Sequence, residues 1–214
     1  RWPHRAVGAD ARRVVVDAAM RMLVTGTGRC GTWWFTEIFR RAGLRATHEQ
    51  VYNIDIRDVE TDVECSWLAA PRTPVDVYTV LLVRHPLETI RSRAAWGTFG
   101  PPVKRIKPST RRLQARKGGF AITHCPRIAE GRNRIEKAAI HWVEWNRMVV
   151  ADEVVRLEDV TAETMTRLSR LAGGEIVNEL PGRNNRGAKV PPVTWAQVEH
   201  IDGLVELAGE LGYR

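Results

Sequence analysis

From residue 20 onward, short apolar runs punctuated by glycine and proline alternate with segments of helical spacing. Met20–Thr25 (MRMLVT) is mostly apolar and stops at Gly26, the pattern of a buried strand. In Thr32–Ala42 the apolar side chains of Trp34, Phe35, Ile38, Phe39 and Ala42 share one helical face, and Gly43 ends the segment. Arg45–Thr47 is a short strand by pattern, and Val63–Trp67 a clearer one, bounded by Pro71. Val77–Val83 (VYTVLLV) is uncharged and rich in β-branched residues, which predicts a central strand. Pro86 then suits the first turn of a helix reaching about Trp96.

Residues 97–126 change character. Gly97, Gly100, Pro101, Pro102, Pro108, Gly118 and Gly119 are mixed with basic residues, which predicts a long loop or lid. Helical spacing returns over Arg132–Val150, with Ile135, Ala139, Trp142, Trp145 and Val149 in phase. Val154–Leu157 follows as a strand, Thr161–Leu171 as a helix, Gly173–Pro192 as a loop and Trp195–Leu211 as a last helix. Strands and helices in alternation predict an α/β fold, a three-layer domain around a central parallel sheet. Ligands in such sheets bind beyond the carboxyl ends of the strands. Residues 1–12 read as an N-terminal arm and 13–214 as a single domain.

Composition narrows the classes. The 214 residues are 43% hydrophobic and 27% charged, enough for a core and too apolar for a disordered chain. No apolar stretch approaches the roughly 20 residues of a membrane span. Cys30, Cys65 and Cys125 match neither a disulfide framework nor a zinc pattern, so reduced thiols and a cytoplasmic location are expected. The net charge of +8 is concentrated. Between Thr89 and Ala129 lie ten Lys/Arg and no acid, while the rest of the chain carries 23 basic and 25 acidic residues. Such a stretch attracts an anion: nucleic acid, membrane headgroups, a phosphorylated cofactor or an acidic substrate.

Candidate chemistry begins at the first strand. Gly26-Thr27-Gly28-Arg29-Cys30-Gly31-Thr32 joins it to the first helix, where glycines let backbone N–H groups wrap an anion and Arg29 adds a planar donor fork. Gly26 and Gly31 have Walker A spacing, but Thr32 and Trp33 stand where the lysine and the metal-binding hydroxyl belong. This degenerate loop resembles the 5′-phosphosulfate loop of sulfotransferases that use 3′-phosphoadenosine-5′-phosphosulfate (PAPS), with Cys30 in place of the usual Ser and Trp33 in place of Thr/Ser. Arg84-His85-Pro86, with Ser92 eight residues after the Arg, follows the strongest strand. It is similar to the 3′-phosphate motif of the same family. The plainer alternative is an Arg84–Glu88 pair and an exposed Ser92.

The resemblance covers most of residues 20–190 in order. It implies a P-loop NTPase-like sulfotransferase fold, PAPS as co-substrate with 3′,5′-adenosine bisphosphate (PAP) as product, and no metal. It assigns cofactor binding to Gly28, Arg29, Cys30, Gly31, Thr32, Trp33, Arg84 and Ser92. Arg183 and Arg186, in a basic loop, match the family's late loop over the 3′-phosphate. The segment Val155-Arg156-Leu157-Glu158-Asp159-Val160 is similar to a stretch common in bacterial members and bears more on fold than on site.

Sulfuryl transfer to an alcohol needs a base and donors for the charge that develops. His48-Glu49 ends the second strand, 20 residues beyond Arg29. The resemblance makes Glu49 the first candidate base, His48 the second and Glu64 the third, with Arg29 stabilising charge. The acceptor stays open among sugars, lipids, small alcohols and peptide tyrosine, anionic ones included. Three other readings compete: a nucleotide-dependent kinase, which needs the Walker lysine and Mg²⁺ ligands, a non-catalytic polyanion or nucleic-acid binder using residues 89–129, and a degenerate family member that binds the nucleotide without turnover. Sparse aromatics (Trp96, Phe99, Phe120) supply base stacking poorly and count against nucleic acid.

Overall fold

The computed structural model describes residues 20–100, 107–182 and 191–213. Five short strands form a parallel sheet in the order β2-β3-β1-β4-β5. They are β1 (Met22–Thr25), β2 (Ala46–His48), β3 (Val63–Cys65), β4 (Tyr78–Val83) and β5 (Glu153–Arg156). Helices α1 (Thr32–Arg41) and α5 (Ala162–Leu171) cover one face. On the other pack α2 (Pro86–Ala95), α3 (Pro108–His124), α4 (Arg134–Met148) and α6 (Leu204–Glu210). The α/β class with a parallel central sheet is therefore as expected.

Strand alternation explains the two cores. On β4, Val80 and Leu82 join Phe35, Ile38 and Phe39 of α1, whereas Leu81 and Val83 join Trp142 and Trp145 of α4. Both faces of the central strands are buried, which is why β4 reads as a continuous apolar run. The helices start on local signals: Asn133 accepts from the N–H groups of Ile135 and Glu136, Thr161 accepts from Thr164, and Pro86 opens α2.

Two expectations are corrected. The stretch 97–126 is not a long loop: residues Pro108–His124 form α3. Its proline sits in the first turn, and of the two glycines inside the helix a neighbour demands only Gly118. A Cβ on Gly118 would fall 1.9 Å from the Thr98 carbonyl oxygen, whereas one on Gly119 would meet nothing within 4 Å. Gly119→Ala is thus expected to hold or raise thermal stability, as alanine does in an exposed helix. Gly118→Ala is expected to lower Tm by about 2–10 °C through overpacking, and paired thermal melts check the contrast. The last helix is also shorter than expected. Trp195–Gln197 is a single turn held by a Thr194/Gln197 capping box, and α6 begins only after Gly203. The arm at 1–12 lies outside the described residues.

Order in the sheet fixes where a ligand would bind. From β1 the chain runs toward β2 and β3, and from β4 it runs to β5 on the opposite side. The carboxyl ends of the neighbours β1 and β4 therefore flank a crevice. No helix among the described residues is long and apolar enough to cross a membrane, and the three cysteines are free and buried.

Beneath that crevice lies His141 of α4, fully buried, with neither ring nitrogen hydrogen-bonded. It stacks on Trp145 at 4.7 Å and meets Trp67 edge-on at 5.4 Å. Burial, and secondarily the Arg93 cation, hold its pKa well below the ordinary 6.5. The unfolded chain binds a proton here that the folded chain refuses, so stability present above pH 6.5 is lost as pH falls below it. His48 and His124 shift the same way through burial. Thermal melts from pH 7.5 to 5 should show a falling Tm, and His141→Phe should flatten that slope.

Candidate functional site

The crevice is built from the loop after β1 and the segment after β4. Thr27 ties the loop to α4 by donating its hydroxyl to Asn146 Oδ1 at 2.9 Å, and the Cys30 N–H closes a turn onto the Thr27 carbonyl at 3.0 Å. Arg29 adopts a left-handed backbone, φ 83°, which turns its side chain across the crevice. There Arg29 Nε donates to Ser92 Oγ at 3.0 Å, and its guanidinium lies 4.7 Å over the Trp96 ring. Arg84 Nη1 donates to the Arg29 carbonyl at 3.4 Å. Two segments 55 residues apart in sequence thus meet at one strand edge. The pKa of Arg29 is lowered by burial and by the neighbouring Arg84 cation, a like-charge pair suited to an anion.

A cleft of about 820 Å³ opens above this pair. Of the sequence candidates, Arg29, Gly31, Thr32, Trp33, Arg84, His48 and Glu49 all line it. Gly28 and Ser92 adjoin it through Arg93 and Arg29. Cys30 instead turns its thiol into the core, where burial pushes its pKa up to about 12, so the side chain does not line the cleft. Trp33, 59% exposed, offers an open aromatic face at the rim. Arg183 and Arg186 lie outside the described residues, although Pro181 and Gly182 just before them line the cleft. The Arg84–Glu88 contact exists at 3.6 Å, but Glu88 is held more closely by Arg91 at 2.7 Å.

The three candidate bases separate cleanly. Glu64 is fully buried away from the cleft, where its carboxylate accepts from the Thr47 hydroxyl and from the N–H groups of Gln50 (3.0 Å) and Tyr52 (3.3 Å). It shapes the turn that carries Glu49 and has no path to an acceptor. His48 Nε2 lies 3.1 Å from Thr32 Oγ1, and burial lowers its pKa, so the ring is neutral and engaged with the loop. Glu49 stands in the cleft on a left-handed backbone, φ 54°, ion-paired with Lys117 of α3 and 3.9 Å from His48 Nε2.

Several cleft residues carried no signal in the sequence. Lys117 belongs to the basic stretch read as loop, and only the packing of α3 brings it to Glu49. Arg93 of α2 is 3% exposed yet lines the cleft, its guanidinium 3.9 Å over Trp67. Burial pushes its pKa down to about 9. Among the described residues no group of three His, Cys, Asp or Glu side chains is placed to hold a metal ion. A second depression along α5 is lined by that helix alone and meets no strand end. Comparison with protein-family models, curated proteins and solved structures gives no match.

Proposed function

We propose that the chain is a PAPS-dependent sulfotransferase, transferring a sulfuryl group to a hydroxyl of an acceptor. The observation that carries this reading is the junction of the two nucleotide motifs: Arg29 bonded to Ser92, and Arg84 bonded to the Arg29 backbone, at the carboxyl ends of adjacent strands. The residues fit such a donor. Two guanidiniums and two hydroxyls, Thr32 and Ser92, surround the start of α1, whose dipole favours phosphate oxygens. Thr32, held by His48, stands where an ATPase would need lysine.

In the reaction, the acceptor oxygen forms a bond to sulfur on the side facing Glu49, and the bond from sulfur to the 5′-phosphate oxygen breaks. Glu49 takes the acceptor's proton, and the electron pair of the broken bond goes to PAP. Lys117 orients the Glu49 carboxylate. Arg29, Thr32 and loop N–H groups meet the charge that builds on the leaving phosphate, while Arg84 and Ser92 hold the 3′-phosphate.

The acceptor side is basic. On α3, Arg111, Arg112 and Arg116 are exposed with no acidic partner among the described residues, while Gln114 and Lys117 of the same helix line the cleft. An anionic alcohol suits that approach. The same helix supports the second reading, a polyanion binder without turnover. PAP release from PAPS, followed in EDTA with neutral and anionic alcohols, distinguishes the two. Acceptor-dependent release in EDTA is the expected outcome. Salt-sensitive DNA binding with no release would favour the binder.

A further inference from the structure

Arg93 follows Ser92 on α2, so its side chain leaves the helix about 100° away from the serine's. Ser92 meets Arg29 on one side of the phosphate loop, whereas Arg93 passes under the loop at Gly28. A Cβ on Gly28 would come within 2.3 Å of Arg93 Nη1, so the loop's second glycine is the space this guanidinium occupies. Its flat face rests on Trp67 at 3.9 Å, with Phe99 at 5.4 Å. Its Nε and Nη2 are buried without a hydrogen-bond partner. No carboxylate lies within ion-pair distance of it among the described residues; Glu49, paired with Lys117, favours its charge only from farther off. The neighbouring His141 is neutral and adds no like charge beside it.

A cation removed from water with no direct ion pair and without full hydrogen bonding is costly, and protein interiors retain one where something completes it. Here the guanidinium lines the cleft between the loop and Glu49, so what completes it enters through the cleft. We infer that Arg93 is a catalytic residue that binds the sulfuryl group itself, the one part of the donor that the phosphate-binding residues leave without a cation. The inference rests on the sulfotransferase reading and adds a role for which neither sequence motif has a residue. In the transfer the three sulfuryl oxygens keep their negative charge while sulfur changes partner. A fixed guanidinium beside them stabilises that charge without taking part in the bond exchange.

PAP lacks the sulfuryl group, which makes it the internal control. Calorimetric titrations of wild type, Arg93→Met and Arg93→Lys with PAPS and with PAP, without acceptor, test the inference. Wild type should bind both. In Arg93→Met, PAP affinity should stay within about twofold while PAPS affinity falls about 10- to 100-fold, the loss of a charge-assisted contact. Arg93→Lys should recover part of it. Retained PAP binding also shows that the variant is folded, and if Arg93→Met fails to fold, Arg93→Lys carries the comparison with a smaller selective loss. Equal losses for PAP and PAPS, or no loss for either, would overturn the role given to Arg93 while leaving the sulfotransferase reading intact. Wild type that binds neither nucleotide would overturn that reading itself, and the inference with it.

Discussion

Arg84→Ala is expected to weaken PAP binding by about 10- to 100-fold while leaving the weaker binding of 5′-AMP nearly unchanged. The size follows from losing hydrogen bonds to a charged group in a partly desolvated site. Arg84 stands one residue beyond β4, half-buried, with its guanidinium turned to the Arg29 backbone rather than into a core. Its structural duties are carried by its carbonyl, which accepts from Trp142 Nε1 and Thr89 Oγ1, both at 3.4 Å, and alanine keeps that carbonyl. Glu88 retains Arg91 as a partner when Arg84 is gone. The loss should therefore appear in affinity and not in Tm. Parallel titrations with PAP and 5′-AMP check it, and equal losses for the two nucleotides would remove Arg84 from the 3′-phosphate.

Glu49→Gln is expected to reduce turnover by about 10²- to 10⁴-fold, the usual contribution of a positioned general base. PAP affinity should change little, because Glu49 makes no direct contact with the residues assigned to the phosphates and acts on Arg29 only through its charge. Glutamine keeps the length and shape of the side chain and removes only the ability to take a proton and to neutralise Lys117. The expected signature is a fall in kcat at unchanged nucleotide affinity, measured by PAP release. Unchanged turnover would show that the proton goes elsewhere, with His48, 3.9 Å from Glu49, the next candidate.

Much of the frame is legible in the sequence, because buried parallel strands and amphipathic helices leave strong patterns. The run Val77–Val83 foretells β4, and the helical spacing of Trp142 and Trp145 foretells α4. The loop after β1 and the Arg84–Ser92 segment meet at one crevice, and each lies within a few residues of a strand end, where local sequence carries its placement. What fails is what depends on approach between distant segments. Helix α3 buries only Lys117, Gly118 and Ala121 fully, with Phe120 and Ile122 packed at the edge of the core, so its apolar face is short, and its glycines mimic a loop. Gly118 is there because the Thr98 carbonyl passes against it. Lys117 at Glu49 follows from that same packing of α3, and Arg93 under Gly28 from the approach of α2 to the loop after β1. Glu64, plausible from its strand position, is spent on the turn from Gln50 to Tyr52.

The most direct measurement is a calorimetric titration of the wild-type chain with PAP, beside 5′-AMP, ADP and ATP–Mg²⁺. The expected result is preferential binding of PAP, with affinity independent of magnesium, because Thr32 and Trp33 provide neither the lysine nor the metal hydroxyl that ATP requires. Equal or tighter binding of ATP–Mg²⁺ would contradict the sulfotransferase reading in favour of a kinase. No nucleotide binding at all would contradict both and leave the basic face of α3 as the functional surface.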